Sequence, residues 1–247
     1  MTAIEVKLID SMGSDLSVVN AARVSFGKKS EWETHTWEYW DNEDEEAEGS
    51  VWYTEKELSE RDAKLIKYLA EHKHLSPFGH AFASFHVRCP IFSHAQLEKH
   101  EYLRVNTVSR RYVTDEPEFY TPDVWRTKAD DVKQGSSDKA VDMYTSMWGF
   151  ANADEDYCAL MRDAVYLYEH MVKSGIAPEM ARMVLPQSAM TEFYWSGSLD
   201  AFAKMCRLRC APDTQLETRL VANPISDVMA ELFPVSWEAL MIKEGGL

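Results

Sequence analysis

The amino-acid sequence predicts an α+β fold in a single domain spanning residues 1–247, and three observations support this prediction. Segments in which apolar and polar residues alternate indicate β-strands, most clearly between Ala81 and Arg88. Longer segments with apolar residues three or four positions apart indicate amphipathic helices. The sequence has no internal repeat, low-complexity tract or clear linker. Hydrophobic residues make up 45% of its 247 positions, which is enough for one sizeable core.

The N-terminal segments predict a strand, a helix and an insertion. Ile4 to Ile9 alternates weakly and indicates a strand, and Leu16 to Phe26 has the apolar spacing of a helix that ends near Gly27. From position 28 to 53 the composition changes to tryptophan and acidic residues, with an acidic run from Glu43 to Glu48. We interpret positions 28–53 as a solvated loop or acidic insertion.

The next segments predict a helix and a half-buried strand. Thr54 and Glu57 form the T-x-x-E capping pattern ahead of a helix that should end near His72. Residues 81–88 then alternate in polarity, as in a strand with one face in the core. The side chains expected on the buried face are those of Ala81, Ala83, Phe85 and Val87.

Pro90, Gly175 and Pro178 mark the boundaries of further helices. Proline is favoured at the first position of a helix because its missing N–H would be unpaired there, so Pro90 should begin a helix. That helix should carry three polar residues on one face, namely Gln96, Lys99 and His100. An apolar stripe between positions 157 and 172, ended by Gly175 and followed by Pro178, predicts a core or interface helix.

Charge and cysteine usage restrict the classes of function. The formal net charge of −15 disfavours sequence-independent binding to nucleic acid or to an anionic membrane, because both require a broad positive field. No apolar run approaches the roughly 20 residues that span a bilayer. Four cysteines without a signal-like segment after Met1 indicate a reducing compartment, so the cytoplasm is the expected location.

The stretch from Lys99 to Tyr112 concentrates anion-binding chemistry in this acidic chain. Ser109, Arg110 and Arg111 supply a hydroxyl and two guanidinium groups, which match phosphate oxygens in two-point contacts. Taken alone, a Ser-Arg-Arg triplet is usually a solvated surface turn. Two more cations, Lys99 and Arg104, and six of the eight histidines lie in or just upstream of this stretch. We therefore predict a nucleotide site here.

Metal and thiol chemistry are weaker interpretations of the same sequence. The histidines lack an H-E-x-x-H pair, a Cys-x-x-Cys pair or a carboxylate at ligand spacing, so we predict no metal site. Cys206 and Cys210 lie one helical turn apart among apolar residues, as ordinary buried thiols do. Arg209, next to them, is a better candidate for binding than either cysteine is as a nucleophile.

The residues of this region resemble the hallmark of the flavin-dependent thymidylate synthases, R-H-R-x-x-S-x-N-x-x-S-x-R-Y. The corresponding residues are Lys99, His100, Glu101, Arg104, Asn106, Ser109, Arg111 and Tyr112. Further segments resemble the family in the same order along almost the whole chain: residues 16–26, 74–78, 85–92, 181–186 and 208–209. The Lys-His and Ser-Arg-Arg-Tyr variants are similar to those of bacteriophage members, which would place the protein in a host cytoplasm.

The resemblance implies a fold, an activity and an assembly. Members of the family have a central, mostly antiparallel sheet flanked by helices. They make dTMP from dUMP with methylenetetrahydrofolate as carbon donor, FAD as redox cofactor and NADPH as reductant. The flavin, rather than an enzyme cysteine, handles the hydride and the carbon unit, so the protein positions and polarises the base. Homotetramers with sites between subunits are implied as well.

The resemblance also implies roles for individual residues. Arg209 matches the arginine that stabilises negative charge on the uracil ring and so activates its C5 carbon, and Ser109 joins it as a catalytic residue. The residues implied for dUMP binding are Gln96, Lys99, Ser109, Arg110, Arg111, Arg182 and Arg209. Those implied for FAD binding are His74, Ser76, Lys99, His100, Glu101, Thr107, Ser198 and Lys204.

Several positions depart from the family pattern and keep other functions open. Lys99 and Glu101 replace hallmark arginines, and Glu101 reverses the charge. Lys204 stands where an asparagine is usual, so it could compensate by offering a phosphate a different cation. The alternatives are a scaffold that transfers another one-carbon group, such as hydroxymethyl, and a catalytically silent nucleotide- or flavin-binding protein.

Overall fold

The computed structural model describes residues 3–40, 50–113, 115–129, 135–149 and 152–242. Contacts between residues divide the chain into two compact units. The first unit comprises residues 1–10, 83–197 and 201–228, and the second comprises residues 11–82, 198–200 and 229–247. The single domain predicted from sequence stays a prediction. No helix in the described ranges is long and apolar enough to cross a membrane.

Strands and helices are both numbered in chain order. The strands are β1 (Glu5–Met12), β2 (Glu33–Trp40), β3 (Ser50–Glu57), β4 (Phe82–Pro90), β5 (Leu103–Thr107), β6 (Arg126–Lys128), β7 (Ser136–Ala140) and β8 (Met190–Ser198). The α-helices are α1 (Asp15–Arg23), α2 (Glu60–Glu71), α3 (Ile91–Leu97), α4 (Ala153–Lys173), α5 (Pro178–Ala181), α6 (Leu199–Arg209), α7 (Leu216–Leu232) and α8 (Pro234–Met241). Short 3-10 turns span Val24–Phe26, Ser76–His80 and Arg182–Val184.

A four-stranded antiparallel sheet in the order β1-β4-β8-β5 forms the centre of the first unit. Leu103 of β5 pairs with Gly197 of β8, and Thr107 pairs with Phe193. Three contacts between β4 and β8 show the same antiparallel order: Ser84 Oγ lies 2.8 Å from Ser196 Oγ, the His86 ring lies 5.5 Å from the Tyr194 ring, and Arg88 Nε lies 3.7 Å from Glu192 Oε1. The predicted α+β class with an antiparallel sheet is therefore confirmed.

The core of the first unit lies where the sheet packs on α6. Ala83, Phe85 and Val87 of β4 are fully or almost fully buried, as the alternation predicted. The rings of Phe85 and Trp195 contact Phe202 of α6 edge to face, at centroid distances of 5.3 and 5.7 Å. Burying each such ring contributes roughly 1.5–3 kcal/mol. This packing fixes α6, whose last residue is Arg209, against the sheet.

The second unit is held together by polar contacts between α1 and other helices. Asp15 at the start of α1 is buried, and its carboxylate accepts hydrogen bonds from the backbone N–H groups of Val235 and Ser236 at 3.0 and 2.9 Å. This contact caps the first turn of α8. At the other end of α1, Arg23 forms a buried ion pair with Asp62 of α2.

The capping pattern predicted at Thr54 and Glu57 is wrong. Both residues belong to β3, which pairs antiparallel with β2 from Glu33↔Glu57 onwards. Helix α2 begins after Ser59 instead, whose hydroxyl oxygen accepts from the Asp62 N–H at 3.2 Å. The loop interpretation of 28–53 is also wrong for these strands, because cross-strand pairing orders them. The acidic run at 43–48 lies outside the described residues.

The helix predicted from Pro90 is shorter than expected. Pro90 is its N-cap, and α3 ends at Leu97. Gln96 therefore lies on the helix, whereas Lys99 and His100 lie in the turn that leads to β5. Tyr102 completes this turn in the left-handed region, with φ of 65°. Tertiary contacts of that turn, and not helical periodicity, place Lys99 and His100.

Candidate active site

A cavity in the first unit brings together three of the predicted site residues. Gln96 at the end of α3, Lys99 in the following turn and Arg209 at the end of α6 line a space of about 520 Å³. Gly135, Thr214 and Gln215 complete much of its wall. We call this space the Arg209 cavity.

Two neutral acceptors hold the Arg209 guanidinium. Its Nε donates to Nε2 of His100 at 2.9 Å, and its Nη2 donates to the backbone carbonyl of Gln96 at 3.1 Å. Burial lowers the pKa of Arg209 from its ordinary value. Burial, followed by the charges of Arg209 and Lys204, lowers the pKa of His100 to about 4. His100 is therefore neutral at physiological pH while Arg209 keeps its charge.

A hydrogen-bonded chain behind the cavity uses residues that the sequence analysis missed. The side-chain nitrogen of Gln96 donates to Oε1 of Gln215 at 2.6 Å, and the Thr218 hydroxyl donates to Oε1 of Gln96 at 3.3 Å. Gln215 Nε2 in turn donates to Glu217 at 3.0 Å, and Arg126 donates to the other oxygen of Glu217 at 2.7 Å. The available sequence signal was the polar cluster at positions 215–218, shortly after Arg209.

Glu217 keeps its charge in spite of its burial. Burial by itself would raise the pKa of this carboxyl, but hydrogen bonds from Arg126 and Gln215 outweigh it and the net pKa is lowered. The nearby Tyr120 hydroxyl has its pKa raised to about 12, by burial first and by the Glu217 charge second. The Gln96 side chain is therefore anchored to a fixed ionic group, and its role includes support of the cavity wall.

The Ser-Arg-Arg residues form a separate cluster. Arg111 Nε donates to Ser109 Oγ at 3.1 Å, and Arg110 Nη1 donates to the Asp115 carbonyl at 2.8 Å. Arg110 lines a different cavity of about 130 Å³. Exposed Arg182 donates to the Glu179 carbonyl at 3.3 Å. None of these four predicted residues lines the Arg209 cavity of the same chain.

Glu101 and Lys204 neutralise one another at the surface of the first unit. Lys204 Nζ lies 3.0 Å from Glu101 Oε2, with side-chain exposures of 56% and 69%. The same ammonium lies 5.9 Å from the centroid of the Tyr102 ring. Exposed pairs of this kind contribute roughly 0–1 kcal/mol. Lys204 can therefore leave Glu101 for a better anion at small cost.

Thr107 and three predicted residues of the second unit have local partners. Thr107 Oγ1 lies 3.1 Å from His94 Nε2 in the first unit. In the second unit, the exposed His74 ring stacks at 6.4 Å on Tyr68. Ser76 begins a 3-10 turn, and the Ser198 hydroxyl donates to Asp200 at 2.6 Å.

Comparison with known proteins assigns the chain to a family. The family described as thymidylate synthase complementing protein matches residues 7–235. Flavin-dependent thymidylate synthase of Thermus thermophilus is 36% identical over 238 residues, covering 95% of this chain and 74% of the relative. The chain belongs to the flavin-dependent thymidylate synthase family. The enzyme of the same name from Kosmotoga olearia is 32% identical, covering 96% and 89% of the two chains.

Solved structures agree with this assignment. The crystal structure of a UMP/dUMP methylase, PolB from Streptomyces cacaoi, bound with 5-Br UMP, superposes with a TM-score of 0.71 at 28% identity. The alignment covers 97% of this chain and 94% of that one. The same methylase bound with 5-Br dUMP gives a TM-score of 0.71 at 30% identity. The α+β architecture expected from the resemblance is thus that of the family.

Two cations of the first unit, Lys99 and Lys204, are candidates to hold the phosphate groups of a flavin cofactor. Exposed Lys99 lines the Arg209 cavity and has no ion pair among the described residues. Its charge is therefore available to an anionic phosphate. Lys204 offers a second cation whose present partner is a weak surface contact. Glu101 does not fit a phosphate, because the two groups repel one another, and a Lys204 side chain that moved to a phosphate would leave the charge of Glu101 without its partner.

A second cavity of about 660 Å³ in the first unit has a different character. Four aromatic side chains line it, those of Trp125, Tyr144, Trp148 and Tyr157. Two of its aspartates already have partners, because Asp154 accepts from Trp125 Nε1 and Asp156 accepts from Tyr144 and Ser146. These hydrogen bonds stabilise the cavity wall. Within the described ranges, no group of three His, Cys, Asp or Glu residues could hold a metal ion.

Proposed function

We propose that this protein is a cytoplasmic enzyme that converts dUMP to dTMP, with methylenetetrahydrofolate as carbon donor, FAD as the flavin and NADPH as reductant. The observation that carries the proposal is the Arg209 cavity, in which a charged guanidinium and Lys99 face a space of about 520 Å³. Membership of the flavin-dependent thymidylate synthase family supports it.

The chain's own side chains perform binding and polarisation. A bound flavin would supply the redox and carbon-transfer chemistry. Arg209, held by His100 and the Gln96 carbonyl, lines the cavity. There it would stabilise the negative charge that develops on the uracil ring, an interaction that is strongest in a site shielded from water. Lys99 would bind a phosphate oxygen as a point charge.

The active site is proposed to form between subunits of a homotetramer. Ser109, Arg110, Arg111 and Arg182 carry the guanidinium and hydroxyl groups expected to bind dUMP, yet they do not line the Arg209 cavity of the same chain. Symmetric assembly places surfaces of different chains against one another. The Ser-Arg-Arg cluster of one subunit would thereby meet the Arg209 cavity of another and complete the phosphate site.

The mass of the product nucleotide tests the proposed activity. The protein is incubated with dUMP, methylenetetrahydrofolate and NADPH, with and without added FAD. We expect dTMP only when FAD is present. A hydroxymethylated nucleotide would instead indicate transfer of a different one-carbon group, and unchanged dUMP with demonstrable flavin binding would indicate a binding protein.

Arg209→Ala is the matched catalytic variant for this assay. Loss of a preorganised charged donor should reduce turnover by about 10²–10³-fold, while flavin retention, measured by absorbance after gel filtration, stays the same. Full turnover by Arg209→Ala would remove the role assigned to this residue without affecting the overall activity assignment.

A further inference from the structure

Within the part of the chain that the structure describes, the partners of Arg209 include no carboxylate. Its two hydrogen-bond acceptors there are a histidine ring nitrogen and a backbone carbonyl. Arginines in proteins are commonly held by aspartate or glutamate, which match the guanidinium fork and also cancel its charge. An arginine that must stabilise charge on a substrate benefits from the opposite arrangement, in which it is held but not neutralised.

The geometry defines the protonation state of His100. The Nε–H of arginine can only donate, so Nε2 of His100 at 2.9 Å must be the acceptor and must carry no proton. The ring proton is then on Nδ1. Protonation of Nε2 would place two donors face to face, the Nε2–H of His100 and the Nε–H of Arg209. It would also place a second positive charge beside Arg209. The lowered pKa of His100 agrees with this arrangement.

The other charged groups near His100 favour the same neutral state. Lys204 of α6 acts on His100 as a second positive charge. On the turn that carries His100, Lys99 is a further cation, and the charge of Glu101 is offset by Lys204. Two cations, Arg209 and Lys204, thus act on a ring that is also half-buried. A neutral acceptor is the form that these surroundings stabilise.

Two of the five N–H groups of Arg209 are used for positioning. One is on Nε and the other on Nη2, so three N–H groups have no acceptor among the described residues and are available to a ligand in the Arg209 cavity. Because both acceptors are neutral, neither offsets the positive charge of the guanidinium. The guanidinium is consequently preorganised before substrate binds.

We infer that His100 is a positioning residue that holds Arg209 through a neutral Nε2 acceptor. The guanidinium is thereby oriented, and no neighbouring anion offsets its positive charge. This inference rests on the proposed function and adds to it a residue that orients the proposed catalytic arginine. It assigns His100 a role toward Arg209, in addition to the flavin contact expected from the family resemblance.

A series of His100 variants separates two effects on Arg209, the positioning of its guanidinium and the neutralisation of its charge. His100→Gln keeps a neutral acceptor, His100→Ala removes it, and His100→Glu supplies an anionic one. We expect His100→Gln to retain kcat within about 10-fold. His100→Ala should lose about 10²-fold, because a misplacement of about 1 Å can cost that much. His100→Glu should lose at least as much kcat as His100→Ala, although the glutamate would bind Arg209 firmly.

The control is His170→Gln on the exposed face of α4, which should leave kcat unchanged.

The relative kcat values of the three His100 variants test the inference. Activity in His100→Glu equal to that in His100→Gln would overturn it, since the charge of the acceptor would then be irrelevant. The same kcat in His100→Ala as in the control would also overturn it. Should His100→Ala fail to fold, the comparison of the Gln and Glu variants alone carries the test.

Histidine ¹⁵N NMR of the wild-type protein provides a readout independent of turnover. The His100 signal, assigned by its absence in His100→Gln, should show a proton on Nδ1 and none on Nε2 at pH 7. In Arg209→Ala the pKa of His100 should rise, because one of the cations that lowers it is removed. A wild-type signal with a proton on Nε2 would overturn the inference. Failure of the proposed function would appear differently, as absence of dTMP with the wild-type protein while the tautomer remained as expected.

Discussion

Neighbouring charges and hydrogen bonds determine whether a buried ionisable side chain of this protein is charged. His100 is half-buried and stays neutral, because burial, followed by the charges of Arg209 and Lys204, lowers its pKa. Burial also opposes charge on Asp62, yet hydrogen bonds from Arg23, Ser30 and Ser59 outweigh it and lower the pKa of this carboxyl. One residue is therefore kept neutral and the other charged, although burial opposes charge on both.

Asp62→Asn should destabilise the protein by about 3 kcal/mol at pH 7, because it leaves the buried Arg23 without its counter-charge. The side chains of Arg23 and Asp62 are 12% and 4% exposed. Urea unfolding measures the loss. The control is Lys64→Gln, which removes an exposed pair with Glu60 and should cost no more than about 0.5 kcal/mol.

The contribution of Asp62 also predicts a pH dependence. The pKa of Asp62 is lower in the folded protein than the ordinary value of 3.8, so its stabilisation is fully present above that value and is lost as the pH falls through the folded pKa. Urea unfolding below pH 4 should show a loss of stability that is smaller in Asp62→Asn. An equal loss in both proteins would mean that other carboxylates account for the acid sensitivity.

At the scale of elements, close backbone approaches determine how the second unit is built. Gly13 connects β1 to α1 with φ of 86°, and a Cβ at this position would lie 2.9 Å from the His80 carbonyl oxygen. Gly27, after the 3-10 turn that extends α1, has φ of 61° and open space around it. Both need a backbone that favours glycine. Gly13 additionally needs the absence of a side chain.

Gly13→Ala should therefore cost more than Gly27→Ala. Each substitution incurs the strain of a positive φ, roughly 1–2 kcal/mol, but only Gly13→Ala forces the His80–Ala81 backbone to move. We expect an additional loss of about 1–3 kcal/mol at Gly13, measured by thermal or urea unfolding. Equal losses at the two glycines would show that the backbone around His80 yields readily.

At the scale of the whole molecule, the division of the expected dUMP residues between separate surfaces is the main feature. Lys99, Gln96 and Arg209 share a cavity, whereas the Ser-Arg-Arg cluster and Arg182 do not line it. Exposed apolar side chains, including Tyr166 on α4 and Met183 near Arg182, are available for contacts between chains. The proposed completion of the site by a second subunit would explain both observations.

Complementation between inactive variants tests a shared site. Arg182→Ala and Arg209→Ala should each be nearly inactive, and hybrid tetramers made by unfolding and refolding the two together should recover part of the activity. Recovery follows because some sites in a hybrid contain both wild-type arginines. Sedimentation should give the mass of four chains. A monomer, or hybrids without recovered activity, would contradict the shared site.

Local patterns in the sequence determined much of this protein by themselves. The alternation between Ala81 and Arg88 predicted β4 and its buried face, because a strand has a period of two whatever it packs against. The spacing of apolar residues likewise predicted α1 and α4. The concentration of cations from Lys99 to Arg111 predicted an anion-binding site, since few side-chain types bind phosphate, and that site stays a prediction.

Only the tertiary structure decided which polar residues lie together. His100 and Arg209 are 109 positions apart, and Gln96 and Gln215 are 119 apart, so no local period relates them. Pairing of the consecutive strands β2 and β3 overrode the capping pattern at Thr54 and Glu57, which lie opposite Thr36 and Glu33. Contacts between distant residues are set by packing of the whole chain, which local spacing does not encode. The neutral acceptor that holds Arg209 is a product of that packing.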